Sequence, residues 1–199
     1  MTFITKIIMK LQKVKYGKKL KIKGLTYVIN KGEIFMGNNV TIKSSFLSNL
    51  IGLYQKTIIM TRIPEAKIII KDNVGMSGVT IYSRNYIEIG NNTIIGANTK
   101  IIDNDFHPLE VEDRIKDIKD KIKSKPIIIG DNCFIGCNAI ILKGTELGEG
   151  CIVGAGAVVS GKYEPNSVIV GNPAKKIWLW KVKYYYEKEV ISYIFKHIW

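Results

Sequence analysis

Residues 129–164 read IGDNCF, IGCNAI, ILKGTE, LGEGCI, VGAGAV and VSGKYE, six consecutive hexads that each begin with an aliphatic residue. The fifth position is small in most of them, as in Cys133, Ala139 and Ala157. A period of six is neither the strand period of two nor the helix period of 3.6. It is typical of a parallel β-helix, in which short strands meet at corners and every turn stacks on the preceding one.

The same frame extends toward the N-terminus, with two shifts in register. Its positions are Ile22, Val28, Ile34, Val40, Phe46, Ile70, Met76, Tyr82, Ile89, Ile95 and Ile101. With three hexads to a turn, the pattern predicts an all-β fold of five or six turns over residues 20–177. A β-sandwich with Gly-Asn turns is the alternative, but its turns recur about every 8–12 residues rather than every six.

Two insertions, 47–66 and 108–126, interrupt the array. Loops of this length in a compact domain are usually functional. The second insertion is highly charged, and its isoleucines recur at helical spacing, so we expect part of it to be a helix.

Both ends of the chain depart from the repeat. Residues 1–19 are predicted to hold a helix that covers the first turn, since an uncovered end would expose sheet edges. Its apolar face would carry Ile4, Ile7, Ile8 and Leu11, opposite Lys6, Lys10 and Lys13. Residues 178–199 are predicted to form a basic, aromatic helix. Two interpretations stay open for it: packing on the array, or peripheral contact with the inner face of a membrane.

Composition narrows the class of protein. The 199 residues are 46% hydrophobic and 24% charged, which is the balance of a globular domain. The net charge of +13 suits a phosphorylated ligand, a nucleic acid or an anionic membrane. Three cysteines are too few for a disulfide scaffold, so we expect a cytoplasmic protein with reduced thiols. The N-terminal apolar run is broken by lysines and predicts no signal peptide, and no stretch is long enough to span a membrane.

Three segments carry a resemblance beyond the repeat itself. They are DNVGMSGVTIYSRNYIEIGNNTIIGANTKIIDNDFHPLE, IKSKPIIIGDNCFIGCNAIILKGTELGEGCIVGAGAVV and VIVGNPAKKI. In combination they resemble the hexapeptide-repeat acyltransferases, in particular the galactoside, maltose and nodulation-factor O-acetyltransferases of surface-polysaccharide clusters. The resemblance implies a left-handed parallel β-helix. It also implies a homotrimer, acetyl-CoA as the donor, no metal, and a saccharide hydroxyl as the acceptor.

The resemblance places the catalytic residue at His107, in the motif NDFHPL. Transfer of an acyl group to a hydroxyl needs a base that titrates near neutral pH, and imidazole meets this need. The only other histidine, His197, lies in the tail outside the motif. The implied mechanism is direct transfer, in which His107 takes the acceptor proton, the oxygen attacks the thioester, and backbone N–H groups stabilise the oxyanion.

Other positions carry over from the same resemblance. Ser77, Asp103 and Asp105 match the acceptor side, where either aspartate could instead orient the imidazole or form an Asx turn. The positions expected to line the CoA site are Cys137, Ala155, Ser160, Lys175 and Lys176. Cys133 and Cys151 fall on the small fifth position, so we interpret them as core residues.

Alternative functions remain on the same fold, because fold alone does not determine function. Two histidines cannot build the three-histidine zinc site of the gamma-class carbonic anhydrases. An antibiotic-modifying O-acetyltransferase and a non-catalytic membrane-surface scaffold both stay open. Nucleic-acid binding is not expected, since the lysines are dispersed and no recognised motif accompanies them.

Overall fold

The computed structural model describes residues 3–177. It contains helices α1 (Phe3–Leu11) and α2 (Val111–Ile115) and two 3₁₀ turns, Phe46–Ser48 and Lys119–Lys121. The strands are β1 (Lys15–Tyr16), β2 (Lys21–Gly24), β3 (Tyr27–Asn30), β4 (Glu33–Met36), β5 (Thr41–Ser44), β6 (Ile58–Thr61), β7 (Lys67–Ile70), β8 (Gly75–Ser77), β9 (Thr80–Ser83), β10 (Tyr86–Ile89), β11 (Ile94–Ile95), β12 (Lys100–Ile102), β13 (Ile127–Ile129), β14 (Phe134–Ile135), β15 (Ile140–Leu142), β16 (Glu146–Leu147), β17 (Ile152–Val153), β18 (Val158–Val159), β19 (Lys162–Tyr163), β20 (Val168–Gly171) and β21 (Ala174–Ile177).

Every third strand joins the same sheet, so the chain winds around three parallel sheets. Sheet 1 has the order β1-β4-β7-β10-β13-β16-β19, sheet 2 has β2-β5-β8-β11-β14-β17-β20-β21, and sheet 3 has β3-β6-β9-β12-β15-β18. All neighbours are parallel except β20 and β21. Strands β1 to β18 make six complete turns, and the predicted parallel β-helix is confirmed.

One column of aliphatic side chains from each sheet fills the axis. In sheet 3 the column runs through Val28, Ile59, Ile81, Ile101, Ile141 and Val159, all buried. Successive turns approach so closely that a Cβ atom at Gly136 would lie 2.4 Å from the backbone nitrogen of Ala155. This contact explains why glycine follows the aliphatic residue in so many hexads.

Two of the predicted register positions in the early part of the array, Phe46 and Tyr82, do not face the axis. Phe46 lies in a 3₁₀ turn and is exposed, whereas Ile42 of β5 is the buried residue at that level. Tyr82 is only half-buried, because its neighbour Ile81 faces the axis. The insertion predicted over 47–66 is also shorter, since Ile58–Thr61 forms β6 between β3 and β9. Strand β6 is not evident from the sequence, because loop sequence on both sides hides its alternation of buried and partly exposed residues.

Helix α1 lies over the first turn, as expected, but with a different face inward. Thr5 and Met9 are fully buried, and Met9 belongs to the main apolar core. Of the four residues predicted to face inward, Ile8 packs against the core, whereas Ile4, Ile7 and Leu11 are exposed.

The three edges of the prism are named here as corners, each between two sheets. The first corner joins sheet 1 to sheet 2, the second joins sheet 2 to sheet 3, and the third joins sheet 3 to sheet 1. Loop 45–57 leaves the second corner and loop 103–126 leaves the third. Within residues 3–177 no helix is long and apolar enough to cross a membrane. The predicted C-terminal helix, 178–199, lies outside the described residues.

Candidate active site

His107 lies at the start of loop 103–126, where the chain leaves β12, and its side chain is exposed. A tight turn presents it. Phe106 adopts a φ of 60°, its N–H donates to Asn104 Oδ1 at 3.0 Å, and the His107 N–H donates to the Asp105 carbonyl at 2.7 Å. The Phe106 ring packs on Tyr82 with 4.8 Å between ring centroids. The backbone around His107 is therefore fixed by local contacts.

Asp103 is fully buried beneath this turn. Its carboxylate accepts hydrogen bonds from Ser83 Oγ at 2.6 Å, from the Arg84 and Asn85 N–H groups at 2.8 Å each, and from Asn104 Nδ2 at 3.0 Å. These bonds tie the preceding turn of the prism to the root of the loop. The carboxylate is therefore enclosed, and its hydrogen-bonding capacity is used within the chain.

Asp105 lies two residues before His107 and forms an ion pair with Lys143, both side chains being mostly buried. The Asp105 N–H donates to the Lys123 carbonyl at 3.1 Å, which closes the base of the loop. Its Oδ2 atom is buried and has no partner within residues 3–177. Sequence reasoning missed Lys143. The available signal was a charged residue directly after strand β15, at the same corner as the histidine loop.

Ser160 lies at this third corner too, one residue after β18. It lines a shallow cavity of about 420 Å³ with Lys125, Lys143 and Lys162. Lys162 pairs with Glu146 at 2.8 Å, and Lys125 donates its backbone N–H to the Asp103 carbonyl at 2.9 Å. The structure thus brings His107, Asp105 and Ser160 to one corner. Lys143 and Lys162 are engaged in ion pairs there, and Lys125 is left to balance an anionic group.

Ser77, Cys137 and Ala155 lie instead on the second corner. A ladder of backbone hydrogen bonds stacks them: Asn98 N–H to the Ser77 carbonyl at 3.0 Å, Asn138 N–H to Ala97 at 2.8 Å, and Gly156 N–H to Cys137 at 2.9 Å. A strand of sheet 3 and its flanking residues lie between this column and the third corner. At about 3.3 Å per residue, they separate the two corners by roughly 15 Å. A single chain therefore does not bring Ser77 or Cys137 to His107.

Loop 45–57 packs along the second corner. Asn98 Nδ2 donates to the Gly52 carbonyl at 2.9 Å, and the Tyr54 hydroxyl donates to Asn138 Oδ1 at 3.2 Å. The Lys100 ammonium lies 5.7 Å from the centre of the Tyr54 ring. Tyr54 is a second residue that sequence reasoning missed, because nothing in the loop sequence shows which corner it covers.

The remaining predicted residues are two exposed lysines and two buried cysteines. Lys175 and Lys176 lie on β21, at the edge of sheet 2. Cys133 and Cys151 are buried, as the hexad pattern predicts. Burial raises the pKa of the Cys133 thiol to about 11 and raises the pKa of the Cys151 thiol as well. Both thiols stay protonated near neutral pH and are unsuited to nucleophilic attack.

Comparisons with known proteins concern the repeat, the sequence as a whole and the fold. The family model described as "Hexapeptide repeat of succinyl-transferase" matches residues 126–160. A protein of Escherichia coli K12, WbbJ, named as a lipopolysaccharide biosynthesis O-acetyl transferase, is 30% identical over 158 residues, covering 76% of this chain and 74% of WbbJ. A protein of Schizosaccharomyces pombe named as an acetyltransferase is 43% identical over 91 residues, which are 46% of this chain and only 42% of that protein.

Among solved structures, AntD, an N-acyltransferase from Bacillus cereus, is similar with a TM-score of 0.63. The identity is 21%, and the match covers 91% of this chain and 95% of AntD. That structure contains dTDP and 3-hydroxybutyryl-CoA. At this identity the likeness concerns the fold.

Proposed function

The chain belongs to the hexapeptide-repeat acyltransferases, and from this premise we propose that it transfers an acetyl group from acetyl-CoA to a hydroxyl of a saccharide. The predicted family is confirmed, and so is the predicted fold, a left-handed parallel β-helix. The observation that carries the activity is the exposed His107 on a turn fixed from below by Asp103. The relative WbbJ, named for O-acetyl transfer in lipopolysaccharide biosynthesis, supports a saccharide acceptor.

In the proposed mechanism His107 is the general base. Its imidazole takes the proton from the acceptor hydroxyl while the oxygen attacks the thioester carbonyl. The tetrahedral intermediate collapses with loss of the CoA thiolate, which receives the proton from the imidazolium. An acetyl ester and free CoA leave the site. Exposure of the histidine is necessary for this role, since both substrates must reach it.

Asp105 and Lys143 are proposed to hold the loop root in place. The Asp105 carbonyl fixes the His107 backbone, and the ion pair anchors the Asp105 side chain to β15 through Lys143. Lys125, which has no ion pair within residues 3–177, would then receive a phosphate group of CoA.

The second corner is proposed to complete the site from a neighbouring subunit of a homotrimer. Ser77, Cys137 and Ala155 lie too far from His107 within one chain, whereas a neighbouring chain could bring its second corner to the third corner of the first. The outer face of sheet 2 offers an interface, because Ile94, Phe134 and Ile152 lie in register and are exposed. Their side chains form an apolar column that a second copy would bury.

The cellular setting belongs to the same proposal. We place the protein in the cytoplasm, at the inner membrane face when its acceptor is lipid-linked. Membrane contact by the tail, 178–199, remains a prediction.

Calorimetric titration with acetyl-CoA, with free CoA alongside, tests the donor before any acceptor is known. Binding near one molecule per chain by wild type and by His107→Ala supports the proposal, since the base is not needed to hold the donor. Thioester consumption with a panel of saccharides and antibiotics should then be lost in His107→Ala and retained in His197→Ala. Absence of binding at millimolar acetyl-CoA would overturn the assignment and favour a scaffold.

A further inference from the structure

Helix α1 is apolar on two opposite sides. Thr5 and Met9 face the core and are fully buried. Ile4, Ile7 and Leu11 recur at intervals of three and four residues, so they form a single stripe on the far side of the helix. Their exposed fractions are 61%, 42% and 73%. Burial of Met9 is sufficient to explain why the helix covers the prism. Within residues 3–177, nothing covers the outer stripe.

Hydrogen bonds just beyond its C-terminal end anchor helix α1 to the first turn of the prism. The Gln12 side chain accepts the Asn30 N–H at 2.7 Å, and the Gln12 carbonyl accepts Asn30 Nδ2 at 2.9 Å. The Val14 N–H donates to the Met9 carbonyl at 3.0 Å, which ends the helix. An isolated nine-residue helix would be marginal in water, but this one is formed by packing. It can therefore bind a partner without the entropic cost of folding.

A concentration of positive charge surrounds the stripe. Nine lysines precede Glu33, which is the first acidic residue of the chain. Every lysine between positions 10 and 31 is exposed, and they lie on α1 and the first turn of the prism. Among the ion pairs described within residues 3–177, Lys15 with Glu33 is the one that involves any of them. The N-terminal cap, defined here as α1 and the first turn (residues 3–31), thus combines exposed aliphatic side chains with lysines that, apart from Lys15, are in no ion pair described within residues 3–177.

We propose that the N-terminal cap is a docking surface for an anionic lipid bilayer. A bilayer provides hydrocarbon for Ile4, Ile7 and Leu11 and anionic headgroups for the lysines around them. A nucleic acid would match the lysines and leave the aliphatic stripe in water. A second copy of this chain would match the stripe and bring lysines against lysines.

This inference goes beyond the proposed acetyl transfer and does not depend on it. The cap lies at the start of the prism, and His107 follows β12 three turns later. Docking would leave the third corner open to solvent and bring it close to lipid-linked molecules.

Flotation of the full chain with vesicles tests the proposal. One set is phosphatidylcholine alone and the other contains phosphatidylglycerol at about 30%. The apolar variant is Ile7→Ser with Leu11→Ser, the charge variant is Lys18→Glu with Lys21→Glu, and the matched control is Lys116→Glu with Lys121→Glu, which changes the net charge equally at another exposed site. All these side chains are exposed, so melting temperature and acetyl-CoA binding should not change.

We expect wild type and the control to bind the anionic vesicles and to float poorly with neutral ones. Each cap variant should bind at least about tenfold more weakly. In the charge variant each near-surface lysine contributes about fivefold, and the losses at the two positions multiply. In the apolar variant two aliphatic side chains no longer enter the hydrocarbon. Equal binding by wild type and both cap variants would overturn the proposal and assign membrane contact elsewhere. Binding of a labelled RNA 20-mer without vesicle binding, or a change of oligomeric state in Ile7→Ser with Leu11→Ser, would also overturn it.

Discussion

The first and third corners of the prism are built from the same kind of repeat, yet they use their polar side chains differently. At the first corner the asparagines bond to one another in a ladder: Asn39 to Asn73 at 3.0 Å, Asn73 to Asn92 at 2.9 Å, and Asn92 to Asn132 at 3.1 Å. At the third corner, loop 103–126 leaves His107 exposed and the Asp105 Oδ2 atom buried without a partner among residues 3–177.

The polar side chains of the first corner therefore contribute to stability, whereas those of the third corner are available for chemistry. Each ladder asparagine has a positive φ, which asparagine tolerates better than most residues, and its amide is used by the next turn. No residue predicted for the active site lies at the first corner. The third corner has groups left over for a ligand, and its geometry is maintained by buried contacts beneath the loop. Substitutions at the two corners should therefore affect different observables.

The largest expected effect is on catalysis at the third corner. His107→Ala should lower kcat by about 10²- to 10⁴-fold, because a positioned general base contributes this much. Asn132→Ala at the first corner is the matched change and should leave kcat within about twofold. Steady-state kinetics of CoA release measure both. Comparable activity of His107→Ala and wild type would show that another group is the base.

The next effect is on folding. Asp103→Ala should lower the free energy of unfolding by about 3 kcal/mol, because it leaves the partly buried N–H groups of Arg84 and Asn85 without an acceptor and each costs about 1–3 kcal/mol. Asp131→Ala at the first corner should cost less, since Asn91 can find water instead. Urea unfolding monitored by circular dichroism compares the two. Equal losses would mean that burial beneath the third corner adds nothing.

Thiol reactivity should divide the cysteines by corner. At pH 8 iodoacetamide should modify Cys137 and spare Cys133 and Cys151, whose burial keeps them protonated well below their raised pKa values. Mass spectrometry of the native protein should show one adduct per chain. Acetyl-CoA should slow this adduct if Cys137 lines the CoA site. Two or three adducts formed at similar rates would contradict the core assignment.

The sequence predicts the regular part of the molecule well and the loops poorly, for a physical reason. From Ile127 onward every turn buries its aliphatic residues in the same way, so the hexad pattern alone places Ile129, Ile135 and Ile141 in the axis. Phe46 occupies a hexad position as well, but loop 45–57 begins there and no turn stacks on it. The partners of Asp103 and Asp105 come from residues up to 38 positions away, which no local pattern encodes. The sequence of α1 does not show which side of the helix packs on the prism, because apolar residues lie on both sides.

The smallest expected effect is the pH dependence of the first corner. Hydrogen bonds from the Asn38 backbone and side chain lower the pKa of Asp72, and those from Asn91 lower the pKa of Asp131, relative to the ordinary value of 3.8. A carboxylate whose pKa is lowered by folding stabilises the protein above that ordinary value and loses its contribution as pH falls through the lowered one. Asp72→Asn with Asp131→Asn keeps an oxygen acceptor at each position and removes the charge. The variant should melt slightly below wild type at pH 6, and the difference should shrink by pH 3. Both side chains are partly exposed and solvent screens their charge, so the change should be a few degrees at most. A difference that stays constant from pH 6 to pH 3 would show that the first corner is held by amide geometry alone, with the carboxylate charge contributing nothing.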